Sequence, residues 1–151
     1  MAGMIKEVFT FGLPKDAERI RQEVFTLEQG FAPEIDLDEH DKEAWHVVLY
    51  LDGYPISTGR VFPEDPETYH IGRVAVRKKF RGMKVGSYTM KFLCTKAKTL
   101  GARKVVLGAQ LDKVPFYKTL GFKVQTGEIF DDGGAPHVMM EKILVKPKYK
   151  K

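Results

Sequence analysis

Arg81-Gly82-Met83-Lys84-Val85-Gly86-Ser87 follows the largely apolar run Ile71-Gly72-Arg73-Val74-Ala75-Val76, with Arg77-Lys78-Lys79-Phe80 between them. The pattern predicts a strand that runs into a basic, glycine-bearing turn, which in turn opens a helix. Such a turn aims several backbone N–H groups at one point, and the helix dipole behind them favours negative charge there. Arg77, Lys78, Lys79, Arg81 and Lys84 crowd the same turn. A basic loop of this kind can be merely a solvated surface. Next to a helix N-terminus it points instead to a phosphate, and so to a phosphorylated cofactor.

The rest of the chain sets bounds on that reading. Its 151 residues suffice for one domain with a real core, expected over residues 1–145, followed by a basic tail at 146–151. No apolar run approaches the ~20 residues that span a bilayer, so no membrane partner is expected. The N-terminus lacks the layout of a signal peptide, and the one cysteine, Cys94, fits a reducing compartment. The expected location is cytoplasmic. Net charge is +5, but the aromatic residues are not interleaved with the basic ones as a base-stacking platform needs, so no nucleic acid is expected. The scattered histidines and single cysteine show no metal-ligand spacing.

Working outward, residues 5–11 read as a strand. Pro14 and Asp16 start a helix whose Ile20, Val24 and Leu27 share a face, and Gly30 and Pro33 end it. Residues 34–42 are acidic and read as a mobile loop. Runs at 45–51 and 55–62 flank Asp52-Gly53, a hairpin signal, and Pro63 and Pro66 close the pair. Residues 69–76 form the strand before the turn. The helix at 84–100 places Val85, Tyr88, Phe92, Leu93, Ala97 and Leu100 on one side, with Gly101 as its cap. A short strand at 104–109 precedes a short helix at 114–121 carrying Pro115 near its start. Strands at 122–126 and 138–145 enclose a loop at 131–136. The order β-α-β-β-β-α-β-α-β-β predicts a mixed α/β (α+β) fold. Its sheet is largely antiparallel, of about six to seven strands flanked by helices, with one βαβ crossover around the long helix.

In this order, Val74-Ala75-Val76 with Arg81-Gly82-Met83-Lys84-Val85-Gly86, and Phe116-Tyr117-Lys118-Thr119-Leu120-Gly121-Phe122, resemble two signatures of the GNAT superfamily of acyl-CoA N-acyltransferases. These are its pyrophosphate loop and its Tyr-x-x-x-Gly-Phe helix. The segments Val24-Phe25-Thr26-Leu27-Glu28-Gln29 and Gly134-Ala135-Pro136-His137-Val138-Met139-Met140 are similar to its ElaA-like and YjcF-like branch. One departure stands out: Lys84 occupies a position where the family usually has glycine.

The resemblance implies acetyl-CoA as co-substrate, no metal, and transfer of its acetyl group to a primary amine of a small molecule or peptide by direct attack in a ternary complex. Backbone groups of Arg81, Gly82, Met83, Lys84, Val85, Gly86 and Ser87 would hold the diphosphate. The pantetheine arm would pair with Val74, Ala75 and Val76 as an added strand, and the N–H of Val74 would polarise the thioester carbonyl. Gln110 would contribute an amide near the pantetheine. Tyr117 would serve the departing thiolate, whose thiol reference pKa near ~8.5 lies below the ~10 of a phenol. His137 would accept the amine proton, with Glu28 as the competing base. Glu28 and Arg73 are the expected acceptor-side residues; Arg73 could equally face solvent opposite a carboxylate. Relatives that acetylate phosphonate amino acids carry arginine at positions aligned with Thr26, Gly72 and Gln110. None is basic here, which points away from a small dianionic acceptor. Cys94 reads as a small apolar helix residue. A CoA-binding sensor of the same fold without turnover is the alternative, and the resemblance leaves a homodimer open.

Overall fold

Asp52 and Gly53 both adopt positive φ, +50° and +84°, as a tight hairpin turn requires. They join β2 (Trp45–Leu51) to β3 (Tyr54–Asp65), which run antiparallel. In the computed structural model the described residues are 3–145, so the basic tail expected at 146–151 lies outside them. Chain contacts gather them into two compact units, one of residues 3–62 and 71–93, the other of residues 63–70 and 94–145.

In the first unit, β1 (Ile5–Phe11) pairs antiparallel with β2, from Ile5 opposite Leu51 to Phe11 opposite Trp45. Helix α1 (Lys15–Arg21) packs Ala17 and Ile20, with Val24 just beyond it, against Val48 and Ala75. Tyr50 ties α1 to β2 through a 2.6 Å hydrogen bond from its hydroxyl to Asp16. Strand β4 (Thr68–Val76) enters this unit at Ile71, and helix α3 (Val85–Thr99) contributes its first turns. A Cβ at Gly59 would lie 2.6 Å from Leu93 of α3, so glycine is what lets that helix approach the strand.

In the second unit, Thr68, Tyr69 and His70 of β4 pair in parallel with Lys104, Val105 and Val106 of β5 (Lys104–Gln110). Strand β5 pairs antiparallel with β8 (Ala135–Ile143), which also receives β6 (Lys123–Val124) and β7 (Phe130–Asp132). Helix α4 (Val114–Thr119) follows β5 after one short turn. Hydrogen bonding orders the strands β1-β2-β3-β4-β5-β8-β6, with β7 on β8. The fold is thus the mixed α/β one expected, with a largely antiparallel sheet and a parallel crossover around α3.

Five readings need correction. The first helix changes to a π-helix at Gln22–Glu28, where Gln29 N–H donates to Val24 O five residues back. The wider turn rotates the face, so Val24 stays buried and Leu27 is 79% exposed. On α3 the buried stripe is Val85, Thr89, Met90, Leu93 and Ala97; Tyr88 faces outward. Pro63 does not close β3, which runs on to Asp65, and residues 130–132 form a strand where a loop was expected.

The largest correction concerns residues 34–42. They are no mobile loop: α2 (Pro33–Asp36) and a 3₁₀ turn at Glu39–Glu43 are pinned by buried charge. Arg21, 1% exposed, donates to Asp36 at 3.1 Å and to Asp41 at 2.7 Å. Arg60, also buried, grips Asp38 at 2.6 and 2.8 Å and Asp41 at 2.9 Å. Burial alone would raise the Asp41 carboxyl, but hydrogen bonds and charge from Arg21 and Arg60 outweigh it and hold it at about 2.

Asp41→Asn should therefore destabilise the protein by about 3–5 kcal/mol in chemical denaturation, because two buried guanidinium groups lose their shared carboxylate. The folded pKa lies below the ordinary 3.8, so the stability from ionised Asp41 is complete above 3.8. It is lost as pH falls through about 2. The variant should lose that part of the acid-unfolding limb.

Candidate active site

Two sets of predicted site residues are built separately, one in each unit. In the first unit the turn after β4 takes its shape from two left-handed residues: Gly82 at φ +80° and Lys84 at φ +62°. Lys84 thus holds the backbone conformation that glycine adopts most readily, and the departure seen in the sequence changes the side chain without changing the type of turn. Val85, 4% exposed, anchors the start of α3 in the core. Behind it, the N–H groups of the first helical turn have no intrahelical partner and are available to an anion. Gly86 and Ser87 are half-buried in that first turn, and Met83 is exposed.

The cations around the turn divide into two groups. Arg81 donates from Nε to Val76 O at 3.0 Å and pairs with Glu28 at 2.9 Å, so the turn, the strand end and Glu28 come together. Arg77 grips Glu23 with two 2.9 Å hydrogen bonds and lies 4.9 Å over the Tyr54 ring, along an open groove of about 480 Å³. Lys78, Lys79 and Lys84 are exposed and are the charges best able to meet a phosphate.

The side chain of Ala75 belongs to the core, and that of Val74 is half-buried near Gly59. A Cβ at Gly59 would sit 3.3 Å from Val74, and Ala75 is 3% exposed among Ala17, Ile20 and Val24. Ala75 can therefore meet a ligand only through its backbone, the kind of group that Val76 already offers in accepting from Arg81. Arg73, just before them, is at φ +50°, and its guanidinium meets Asp36 O at 2.9 Å and Asp38 at 3.2 Å.

In the second unit, register brings Gln110 of β5 directly opposite His137 of β8. His137 is 7% exposed, and its Nδ1 lies 2.8 Å from Ala135 O. A carbonyl only accepts, so Nδ1 carries the proton and the neutral ring keeps its lone pair on Nε2. Phe130 on β7 faces His137 with ring centroids 5.7 Å apart. Gly108 makes room for both: a Cβ there would lie 3.3 Å from Phe130 and 3.9 Å from His137. Tyr117 on α4 contacts Phe116 and Phe122 edge-to-face at 5.1 and 5.9 Å, and burial pushes its phenol up to about 12. Lys142 of β8 donates to Leu120 O at 2.8 Å, placing a cation at the C-terminal end of α4.

Gly108, Phe130 and Lys142 were not singled out from the sequence. Gly108 left one signal, a glycine inside an otherwise apolar strand. Cys94 is half-buried, and burial pushes its thiol up to about 11, so it is no thiolate near neutrality. Among the described residues no group of three or more His, Cys, Asp or Glu is placed to share a metal ion. No helix among them is long and apolar enough to cross a membrane.

Residues 13–122 match the sequence profile of the acetyltransferase (GNAT) family. The chain belongs to that family. The chain is 38% identical over 128 residues to Bacillus subtilis YjcF, named as an uncharacterized N-acetyltransferase, covering 85% of this chain and 91% of that protein. Its fold superposes on a crystal structure from Lactobacillus plantarum with TM-score 0.85 at 31% identity, over 93% and 99% of the two chains. It superposes on the crystal structure of Escherichia coli ElaA with TM-score 0.78 at 29% identity, over 92% and 99%.

Replacing Lys84 tests the turn. Lys84→Gly should leave stability within about 1 kcal/mol, because relief of the left-handed penalty offsets the greater freedom of the unfolded chain. Lys84→Val, which is β-branched, should cost about 1–3 kcal/mol. Thermal melts of the two variants measure the difference.

Proposed function

We propose that this acyltransferase moves the acetyl group of acetyl-CoA to a primary amine by direct attack. Acyl transfer from an acyl-CoA follows from the family; the acetyl donor, the amine and the residue roles are our reading. The observation that carries it is the turn at residues 81–87, which combines a left-handed backbone, a helix N-terminus and the exposed Lys84 shortly after a strand that buries Ile71 and Ala75. The diphosphate takes the N–H groups of that turn, and the pantetheine takes the backbone of Val74, Ala75 and Val76 with the Gln110 amide.

The chemistry then needs one base and one acid. His137 Nε2 accepts a proton from the substrate ammonium, directly or through water. The freed amine nitrogen attacks the thioester carbonyl carbon, and the N–H of Val74 stabilises the developing oxyanion. The carbon–sulfur bond breaks as the attacking nitrogen sheds its second proton, and the Tyr117 hydroxyl hydrogen-bonds to the departing sulfur or protonates it while taking up the proton that the nitrogen releases. A phenol held at about 12 stays neutral through the working range, which suits a donor. Glu28 is paired with Arg81, which suits it less well for the base role than an imidazole with a lone pair at Nε2.

Calorimetry should show acetyl-CoA binding, and a screen of amines scored by free CoA thiol should find turnover, which separates this reading from a CoA-binding sensor. No heat at millimolar acetyl-CoA would end it.

Tyr117→Phe should lower kcat by about 10²-fold or more with acetyl-CoA affinity nearly unchanged. His137→Ala should remove the acid limb of the pH–rate profile, because that limb reports protonation of the base; a retained limb moves the role to Glu28 or to water.

A further inference from the structure

Arg73 is one of three non-glycine residues with positive φ among the described residues. The other two, Asp52 and Lys84, sit in turns. Arg73 lies within β4, where a left-handed residue breaks the regular alternation of strand hydrogen bonds, as in a bulge. A non-glycine residue in this region is strained and persists only where its surroundings enforce it.

The enforcement is visible. Nε of Arg73 donates to Asp36 O at 2.9 Å, and Nη2 meets Asp38 at 3.2 Å. Neither partner can drift. Asp36 is held by buried Arg21 through its carboxylate at 3.1 Å and its carbonyl at 2.7 Å, and Asp38 is gripped at 2.6 and 2.8 Å by buried Arg60. The guanidinium is thus fastened to a part of the unit that is itself fastened twice over.

We propose that Arg73 is a positioning residue: its tie to Asp36 and Asp38 holds the strand kink that aims the N–H of Val74 at the thioester carbonyl. This rests on the role given to Val74 above. It assigns to the buried charge cluster a second duty beyond stability. Arg73 then works inward, with its charge matched inside the protein, and acts on the reaction only through the backbone that follows it.

The test reads the carbonyl itself, so no acceptor amine is needed. Isotope-edited infrared difference spectra of acetyl-CoA labelled with ¹³C at the carbonyl are recorded bound to the wild-type protein, Arg73→Ala, Arg73→Gly and Asp38→Asn. Calorimetry and far-ultraviolet circular dichroism accompany each. The wild type should shift the thioester stretch to lower wavenumber. Arg73→Ala should lose most of that shift, and Arg73→Gly should keep more of it because glycine tolerates the kink without the tie. Asp38→Asn should lose part of it with Arg73 intact. Dissociation constants for acetyl-CoA should stay within about threefold. In turnover with any amine found by thiol release, Arg73→Ala should lower kcat about tenfold or more, in line with loss of an oxyanion donor.

A full shift in folded Arg73→Ala overturns the proposal, as does a loss confined to acetyl-CoA affinity. Should Arg73→Ala fail to fold, Asp38→Asn decides: an unchanged shift there overturns it. A wild-type protein that binds acetyl-CoA without any shift removes the role of Val74 and this inference with it, while one that does not bind acetyl-CoA refutes the function itself.

Discussion

Three arginines and three aspartates meet at the edge of the first unit, and the arrangement of that unit depends on them. Arg21 comes from α1, Arg60 from β3 and Arg73 from β4; Asp36, Asp38 and Asp41 come from the segment between α1 and β2. Each charge is expensive to bury alone, and the cluster is tolerable because it is matched. Its geometry is consequently unforgiving. Three elements distant in sequence must bring their guanidinium groups to one polar stretch, which gives that stretch a defined path. His46, 1% exposed, joins from β2 by donating to Asp41 O at 3.0 Å. Burial lowers its pKa and favours the neutral ring, which adds no unmatched charge.

That constraint bears on function through β4. The strand carries the backbone proposed to receive pantetheine and leads into the turn proposed to hold the diphosphate. Ile71 and Ala75 are committed to the core, Ala75 on the helix α1 side, and Val74 is half-buried near Gly59. A cofactor that uses only backbone on such a strand is compatible with an apolar core behind it. The ligand takes hydrogen bonds, the core takes side chains, and neither competes with the other.

The second unit holds an imidazole and a phenol, the two side chains proposed above as base and acid. His137 is locked by the Ala135 carbonyl into the tautomer that leaves Nε2 as acceptor, while Tyr117 is desolvated among Phe116 and Phe122 and remains a donor. The tautomer of one and the burial of the other are compatible with the base and donor roles proposed for them. Lys142 and Gly108 support this without chemistry of their own, one at the end of α4 and one as space beside β8.

The order of the elements, the Asp52-Gly53 hairpin, the crossover helix and the family signatures were legible from residue order, because each rests on local periodicity, turn chemistry or spacing. The buried charge cluster left only a faint trace: Arg21 falls in the apolar stripe of Ala17, Ile20 and Val24, and Arg60 falls inside an otherwise buried strand. An acidic stretch reads as solvated unless its distant cations are known, and pairing across 15 to 37 residues is a property of the folded chain. The same holds for the π-helix, which moved Leu27 out of the core, and for the left-handed backbone at Arg73 and Lys84. Local sequence thus determined what the elements are and which chemistry they could carry. Tertiary structure decided which charges are buried and which strand backbone is kinked beside them, because each of those depends on a partner that only folding brings within reach.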